Sequence, residues 1–287
     1  MNDKDWQILL TIADVKNMTI ASNKLYITQP ALTYRLKNIE KELGAPVFLR
    51  TPKGVVLTPE GEAIVKYAKS MVKELEYIKT KVNNMSGSVQ GTLRLGMSLN
   101  FARFKLAQTL TSFCQLYPAV ELSIKTALSS QIKTDLDNDD ITVAIVRGEH
   151  TWSEVKHLID TEPIYFISNN QVPTKFLPKL PYIMYDADAS LNNIVAEWWS
   201  ERFSSPPRVA MQINDADTCR QLAALGLGYT IIPAMNAAPQ VCTGLNVVPL
   251  TYKDNTPLDR KTYVLCRNTS LKLPAVAKFI EHIVSIN

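Results

Sequence analysis

The chain has 287 residues, of which 46% are hydrophobic and 20% charged, a balance that excludes a disordered or fibrous protein and suits two or three globular domains. Its net charge is +4, and the whole excess lies in residues 1–90, which hold 13 basic and 9 acidic side chains. A surplus confined to one end attracts a polyanion, nucleic acid or an anionic membrane surface. The four scattered cysteines, Cys114, Cys219, Cys242 and Cys266, fall in no metal-ligand spacing, so reduced, mostly buried thiols and no metal site are expected.

Residues 3–15 place Trp6, Leu9, Leu10 and Ala13 at helical spacing, which predicts a first helix with one apolar face. No apolar leader precedes it, so a cytoplasmic protein is expected. Residues 18–25 predict a second, short helix with Thr19 as its N-cap. A third is capped by Thr28, carries Pro30 in its first turn and stops at Gly44. Its buried stripe, Leu32, Leu36, Ile39 and Leu43, leaves Gln29, Pro30, Thr33, Tyr34 and Lys37 facing outward. Two helices, a turn and a third helix offering amide, hydroxyl and cationic groups predict a helix-turn-helix reader of the major groove. Two short β-like runs follow, Val47-Phe48-Leu49-Arg50 and Val55-Val56-Leu57, joined by Thr51-Pro52-Lys53-Gly54. This hairpin is a wing, with Arg50 and Lys53 toward phosphates or the minor groove. Across this region Lys24, Arg35, Lys37, Lys41, Arg50 and Lys53 are opposed only by Glu40 and Glu42.

Thr58-Pro59-Glu60 opens a long helix with a hydroxyl cap, a proline at the first position and an acid in the first turn. Ile64, Ala68, Met71, Leu75, Ile78, Val82 and Met85 recur along it with 4-3 alternation, a heptad seam that predicts pairing of two chains.

The segments Ala21-Ser22-Asn23-Lys24-Leu25-Tyr26-Ile27-Thr28-Gln29-Pro30-Ala31-Leu32-Thr33, Ile39-Glu40-Lys41-Glu42-Leu43-Gly44, Leu49-Arg50-Thr51 and Leu57-Thr58-Pro59-Glu60-Gly61 together resemble the DNA-binding domain of LysR-type transcriptional regulators. The resemblance is collinear over roughly residues 4–64 and implies double-stranded DNA as partner. Carried over by position, its base-reading and phosphate-contacting residues fall on Gln29, Pro30, Thr33, Tyr34 and Lys53. The residues' own chemistry adds Thr28, Lys37 and Arg50. The family often has Ser where Thr33 stands, which keeps the hydroxyl, and commonly Arg where Tyr34 stands, which removes a guanidinium. Tyr34 either packs on a thymine methyl, donates to a phosphate, or lies across the backbone and reads nothing.

Ser86, Gly87, Ser88 and Gly91 make a short joint. Beyond it, β-like runs alternate with helical ones: strands at 93–97, 120–124 and 142–146, with helices at 101–116 and 132–136, predict a parallel sheet covered by helices. A second unit repeats the order, with strands at 163–168, 182–185, 209–213 and 229–232 and helices at 191–203 and 217–225. A strand at 262–266 and a helix at 275–283 return to the first. The uncharged stretch 221–252 is broken by Gly226, Gly228, Pro233, Pro239, Gly244 and Pro249, so it reads as strands and turns and not as a membrane span.

The expected fold is therefore mixed α and α/β: a winged helix-turn-helix (1–58), a dimerising linker helix (59–88), and a two-lobed α/β unit (89–287). Lobe I takes about 89–161 and 266–287, lobe II about 162–265, with hinges near Glu162 and Leu265. The family resemblance implies a periplasmic-binding-protein-like effector domain here, to which the run Leu225-Gly226-Leu227-Gly228-Tyr229-Thr230-Ile231-Ile232-Pro233 is similar. It also implies dimers of dimers, and leaves RNA polymerase open as a further partner.

A cleft between such lobes predicts a small-molecule site at the carboxyl ends of the strands. Ser98, Asn100, Ser129 and Arg147 follow the first three strands, and Thr218 stands near a second-lobe helix start. For each Ser or Thr the competing reading is simple helix capping. For Arg147 it is a surface pair with Glu149 or Glu154. Helix starts plus one arginine suit a small anion. An enzyme or a transport solute-binding protein would use the same cleft. His150, His157 and His282 fall in no catalytic or metal motif, His150 and His157 read as loop residues, and Cys114 reads as core, so no catalytic residue and no cofactor are expected.

Overall fold

The computed structural model describes residues 1–83, 89–186, 188–237 and 242–286, which divide into two compact units parting at Gly87–Ser88. The first begins with α1 (Asp3–Val15), held at its start by a reciprocal capping box: Asp5 N–H donates to Asn2 Oδ1 at 3.2 Å and Asn2 N–H to Asp5 Oδ2 at 2.8 Å. α2 (Met18–Lys24) is capped by Asn17, whose Oδ1 accepts from the backbones of Thr19 and Ile20. This corrects the expectation of Thr19 as cap: the extended Asn17 places its amide one turn below those donors, and the Thr19 hydroxyl turns elsewhere. α3 (Gln29–Leu43) has Thr28 as N-cap and Gly44 in the left-handed region at φ 73°, as its sequence predicts.

Leu32, Leu36 and Ile39 of α3 join Ile8, Leu9, Ile12, Met18 and Ala21 in one core. The wing, β1 (Phe48–Thr51) and β2 (Gly54–Leu57), is an antiparallel hairpin pinned to the end of α1 by Val55 N–H donating to the Lys16 carbonyl at 2.9 Å. α4 (Pro59–Asn83) starts at Thr58, whose hydroxyl accepts from Gly61 N–H at 2.8 Å and donates to the Pro46 carbonyl at 2.7 Å. The seam on α4 divides into two parts. Ile64 packs on the unit's own core and Ala68 is fully buried, because α1 lies against this end of the helix, where Trp6 and Tyr67 meet edge to face. Met71, Ile78 and Val82 are exposed; Met85 lies outside the described residues.

The second unit runs β3 (Gly91–Ser98), α5 (Leu99–Phe104), α6 (Leu106–Leu116), β4 (Val120–Ala127), α7 (Ser129–Asp137), β5 (Val143–Arg147), β6 (Val155–Ser168), β7 (Tyr182–Tyr185), α8 (Ala189–Arg202), β8 (Val209–Ile213), α9 (Ala216–Ala224), β9 (Thr230–Pro233), β10 (Asn246–Pro249), β11 (Asp259–Cys266) and α10 (Pro274–Ser285). In the first lobe the strand order is β4-β3-β5-β11-β6. The β3 pairs are parallel, and β11 runs antiparallel to both neighbours. α6 and α10 cover one face through Phe113, Phe279 and Ile283, and α7 covers the other through Ile132 and Leu136.

β6 is shared between the lobes. Residues 155–163 pair with β11, whereas 164–168 pair with β9 and β10 of the second lobe, where β7 and β8 run parallel and Tyr182 bridges to Tyr229. Phe166, Tyr182, Trp198 and Tyr229 are buried in that lobe's core.

Several expectations change. The return crossing lies between Leu258 and Asp259, not near Leu265, because β11 pairs with β5 and β6 along its length. The strand expected at 163 starts at Val155, which places His157 on an exposed strand position and not in a loop. The helix expected over 101–116 divides at Lys105, whose backbone leaves the helical region at φ −120°, ψ −23°. Cys114 is exposed: its neighbour Phe113 points into the core, and one residue further around the helix faces water. Among the described residues no helix is long and apolar enough to cross a membrane.

Candidate functional site

In the first unit the packing of α3 decides what it can offer. With Leu32, Leu36 and Ile39 turned inward, Gln29, Pro30 and Lys37 are exposed, Tyr34 is 69% exposed, and Thr33 is half-buried beside them. The Thr28 hydroxyl is exposed and accepts from Ala31 N–H at 3.4 Å. Gln29 is held by a neighbour that sequence reasoning assigned elsewhere: the Thr19 hydroxyl donates to Gln29 Oε1 at 3.1 Å. Tyr26, 95% exposed at φ 56°, stands in the turn leading to α3. Arg50 is exposed on β1, and Lys53 is exposed at the tip of the wing.

One member of the expected basic cluster is structural. Arg35 grips Asp5 with two hydrogen bonds, Nε to Oδ1 at 2.6 Å and Nη2 to Oδ2 at 3.0 Å. Asp5 is buried, and this hydrogen bond and charge raise the Arg35 pKa above its ordinary value. Its guanidinium is spent on joining α3 to α1. Lys24 pairs with Asp14 at 3.1 Å.

In the second unit a cleft of about 600 Å³ opens at the carboxyl ends of β3, β4 and β5 in one lobe and of β7 and β8 in the other. Ser98, Asn100, Ser129 and Arg147 all line it. The Ser98 hydroxyl caps α5, accepting from Phe101 N–H at 3.4 Å. Asn100 reaches across the cleft, donating from Nδ2 to the Tyr185 hydroxyl at 3.2 Å and to Asn236 Oδ1 at 3.3 Å. Ser129 Oγ accepts from Arg147 N–H at 3.1 Å, tying two strand ends together. The Arg147 guanidinium is buried and bonds Glu162, not Glu149 or Glu154; those two serve Tyr263 with Lys156, and Arg267, respectively. Glu162 Oε2 also accepts from Met235 N–H of the second lobe at 2.7 Å.

Thr218 does not line the cleft. Its hydroxyl donates to Asp215 Oδ2 at 2.7 Å; Asp215, three residues earlier, caps α9 and takes the cleft-facing place. The cleft also holds residues that sequence reasoning missed, chiefly Arg260, Asp188, Tyr185, Asp186 and Asp215. Arg260 is buried, and its Nη2 donates to Asp188 at the cap of α8. Burial, then the Arg147 charge, push its pKa down, against the pull of Asp188 and Glu162. Hydrogen bonds from Thr218 hold Asp215 below the usual carboxylate range, and those from Asn192 and Gln212 do the same for Asp186. The lobes are thus clasped by Arg260–Asp188, Glu162–Met235 and Asn100–Tyr185, with Arg103–Asp217 at 2.8 Å on the rim.

Comparison with known proteins agrees with both halves of this picture. Residues 4–62 match the bacterial regulatory helix-turn-helix protein, lysR family, and residues 86–285 match the LysR substrate binding domain. The HTH-type transcriptional regulator YraN of Bacillus subtilis (strain 168) is 36% identical over 285 residues, covering 98% of this chain and 96% of that one. Among solved structures, full-length CbnR complexed with its target DNA is similar with a TM-score of 0.68 at 17% identity, over 100% of both chains. A full-length OxyR variant from Pseudomonas aeruginosa gives 0.67 at 18% identity, over 99% of this chain and 98% of that one. With a winged helix-turn-helix at one end and a two-lobed cleft at the other, the chain belongs to the LysR family of transcriptional regulators, combining a DNA-binding unit with an effector-binding domain.

Proposed function

We propose that Thr28, Gln29, Pro30, Thr33, Tyr34 and Lys37 form the base-reading and backbone-contacting face, with Arg50 and Lys53 of the wing on phosphates. The observation that carries this is the outward row on α3, whose opposite face is sealed into the core. Gln29 and Thr33 offer hydrogen bonds to base edges, and the lysines and Arg50 neutralise phosphate. Tyr34 offers a ring and one hydroxyl, so a half-site leaning to A·T at that position is expected.

The exposed stripe Met71, Ile78 and Val82 supports pairing through the linker helix, and two reader helices on an interrupted palindrome, with half-sites one or more turns of ~34 Å apart. Pairing of two such dimers into a tetramer extends the same reading. Residues 1–58, 59–88 and 89–287 are the working divisions, with the lobes crossing at Pro163–Ile164 and Leu258–Asp259.

The effector site is the cleft, with Ser98, Asn100, Ser129 and Arg147, joined by Arg260, receiving a carboxylate-bearing small molecule. Its role is binding: Arg147 and Arg260 are each held by one carboxylate, Glu162 and Asp188, which leaves other guanidinium N–H groups for a ligand, and none of the three histidines lines the cleft. A DNA-binding role places the chain in the cytoplasm. A ligand changes DNA binding only as far as it binds open and closed lobes unequally, so breaking the clasp is the route by which it acts. Selection of random double-stranded DNA by the full chain tests the reading: a recurring interrupted palindrome is expected, and recovery of an unenriched pool would contradict it.

A further inference from the structure

The cleft's charges do not match a simple anion site. Three arginines line it, and each already has a carboxylate: Arg147 with Glu162, Arg260 with Asp188, and Arg103 with Asp217. Two lining carboxylates remain, Asp186 and Asp215, and both are hydrogen-bonded to neutral donors alone: Asn192 and Gln212 for the first, the Thr218 backbone and hydroxyl for the second. The lining therefore carries both signs, three arginines and three aspartates, and Asp215 keeps one oxygen outside the hydrogen bonds of the described residues. The cleft also holds donors with no acceptor: Nε and Nη1 of Arg260 and Nε of Arg147, on side chains 98% buried. Buried N–H groups left unpaired are costly, and a carboxylate is the acceptor their geometry suits. A bare anion satisfying them would add a negative charge facing Asp186 and Asp215 and leave the free oxygen of Asp215 without a partner.

A molecule bearing both signs meets both demands. We propose that the effector is a zwitterion of the α-amino-acid class, its carboxylate on the free N–H groups of Arg260 and Arg147 and its ammonium on Asp215 across the cleft. This rests on the reading of the cleft as the effector site. Asp215 is the better ammonium partner because both oxygens of Asp186 are already taken, whereas Asp215 uses Oδ2 alone among the hydrogen bonds of the described residues. Binding leaves the net charge of the cleft unchanged, and it adds a charge-assisted contact to the neutral ones that Asp215 accepts from Thr218.

The test is titration calorimetry of the full chain against the proteinogenic L-α-amino acids, each beside its 2-hydroxy acid, which lacks the ammonium, and its decarboxylated amine. At least one amino acid is expected to bind, with both counterparts at least tenfold weaker. Asp215→Asn keeps the helix cap, since asparagine caps as well as aspartate, and is expected to weaken the amino acid at least tenfold without weakening the hydroxy acid. Arg260→Lys keeps the charge facing Asp188 but loses the free guanidinium N–H groups, and is expected to weaken amino acid and hydroxy acid alike. A hydroxy acid that binds as tightly as its amino acid, with Arg260→Lys weakening it, overturns the inference and leaves the cleft reading standing. Binding indifferent to both substitutions overturns the cleft reading as well. Failure of every amino acid to bind overturns the inference.

Discussion

On the proposed reading face, Gln29 is positioned before DNA arrives. The Thr19 hydroxyl holds its amide oxygen, so less rotamer freedom is lost when the amide meets a base edge; fixing a rotamer-rich side chain costs about 0.5–1.5 kcal/mol at an interface. Thr19→Val keeps the shape and removes the donor. It is expected to weaken binding to the selected sequence by about 0.5–1 kcal/mol, with random DNA unaffected; competition binding measures both, and an equal loss on random DNA would make Thr19 a backbone contact. His150 gives a pH prediction. Burial holds its pKa below 6.5, partly offset by its hydrogen bond to the Arg147 carbonyl. The unfolded chain therefore takes up the proton first as pH falls. The stability gained by keeping the ring neutral is whole above 6.5 and is lost as pH falls through 6.5 toward the lower folded value. Thermal melts at about pH 7.5 and about pH 5.5 should show the parent losing more than His150→Gln. Equal losses would place the imidazole in water.

Elements written in local chemistry were legible. α3 carries its cap at Thr28, its proline at Pro30, its stop at Gly44 and its stripe within a single short segment, and it forms as read. Ser98, Asn100, Ser129 and Arg147 are legible because each ends or follows a parallel strand, whose carboxyl end must face the cleft. Arg260 is not, because β11 is antiparallel and presents its amino end to the same place. The first half of β6 is not either: Val155-Lys156-His157-Leu158 has no apolar run, and it is a strand because β11, far along the chain, pairs with it. Thr218 gives both its N–H and its hydroxyl to Asp215, so the capping carboxylate and not the threonine faces the cleft. Contact between α4 and the wing gives this scale its prediction. A Cβ at Gly61 would lie 2.1 Å from the Val47 carbonyl oxygen, a backbone atom that cannot swing aside. Gly61→Ala is expected to destabilise the winged unit by about 1–3 kcal/mol through overpacking, read as a lower urea midpoint; an unchanged midpoint would mean that the helix can slide away.

At the scale of the whole molecule, the account requires two chains and a base-reading face. The exposed seam residues Ile78, at 49%, and Val82, at 59%, touch no core of their own unit, so charges there spare the fold. The double substitution Ile78→Asp, Val82→Asp is expected to give monomers by light scattering, with a folded circular-dichroism spectrum. Dimers that persist would move the interface off the linker helix. The most direct test concerns α3 itself: Gln29→Ala in the full chain, measured on the selected sequence and on random DNA at one salt concentration. A loss of ~1–3 kcal/mol at the selected sequence, about 5–150-fold, is expected, with base preference relaxed at one position and random binding unchanged. An equal loss on both DNAs would contradict the assignment of α3 as the element that reads sequence.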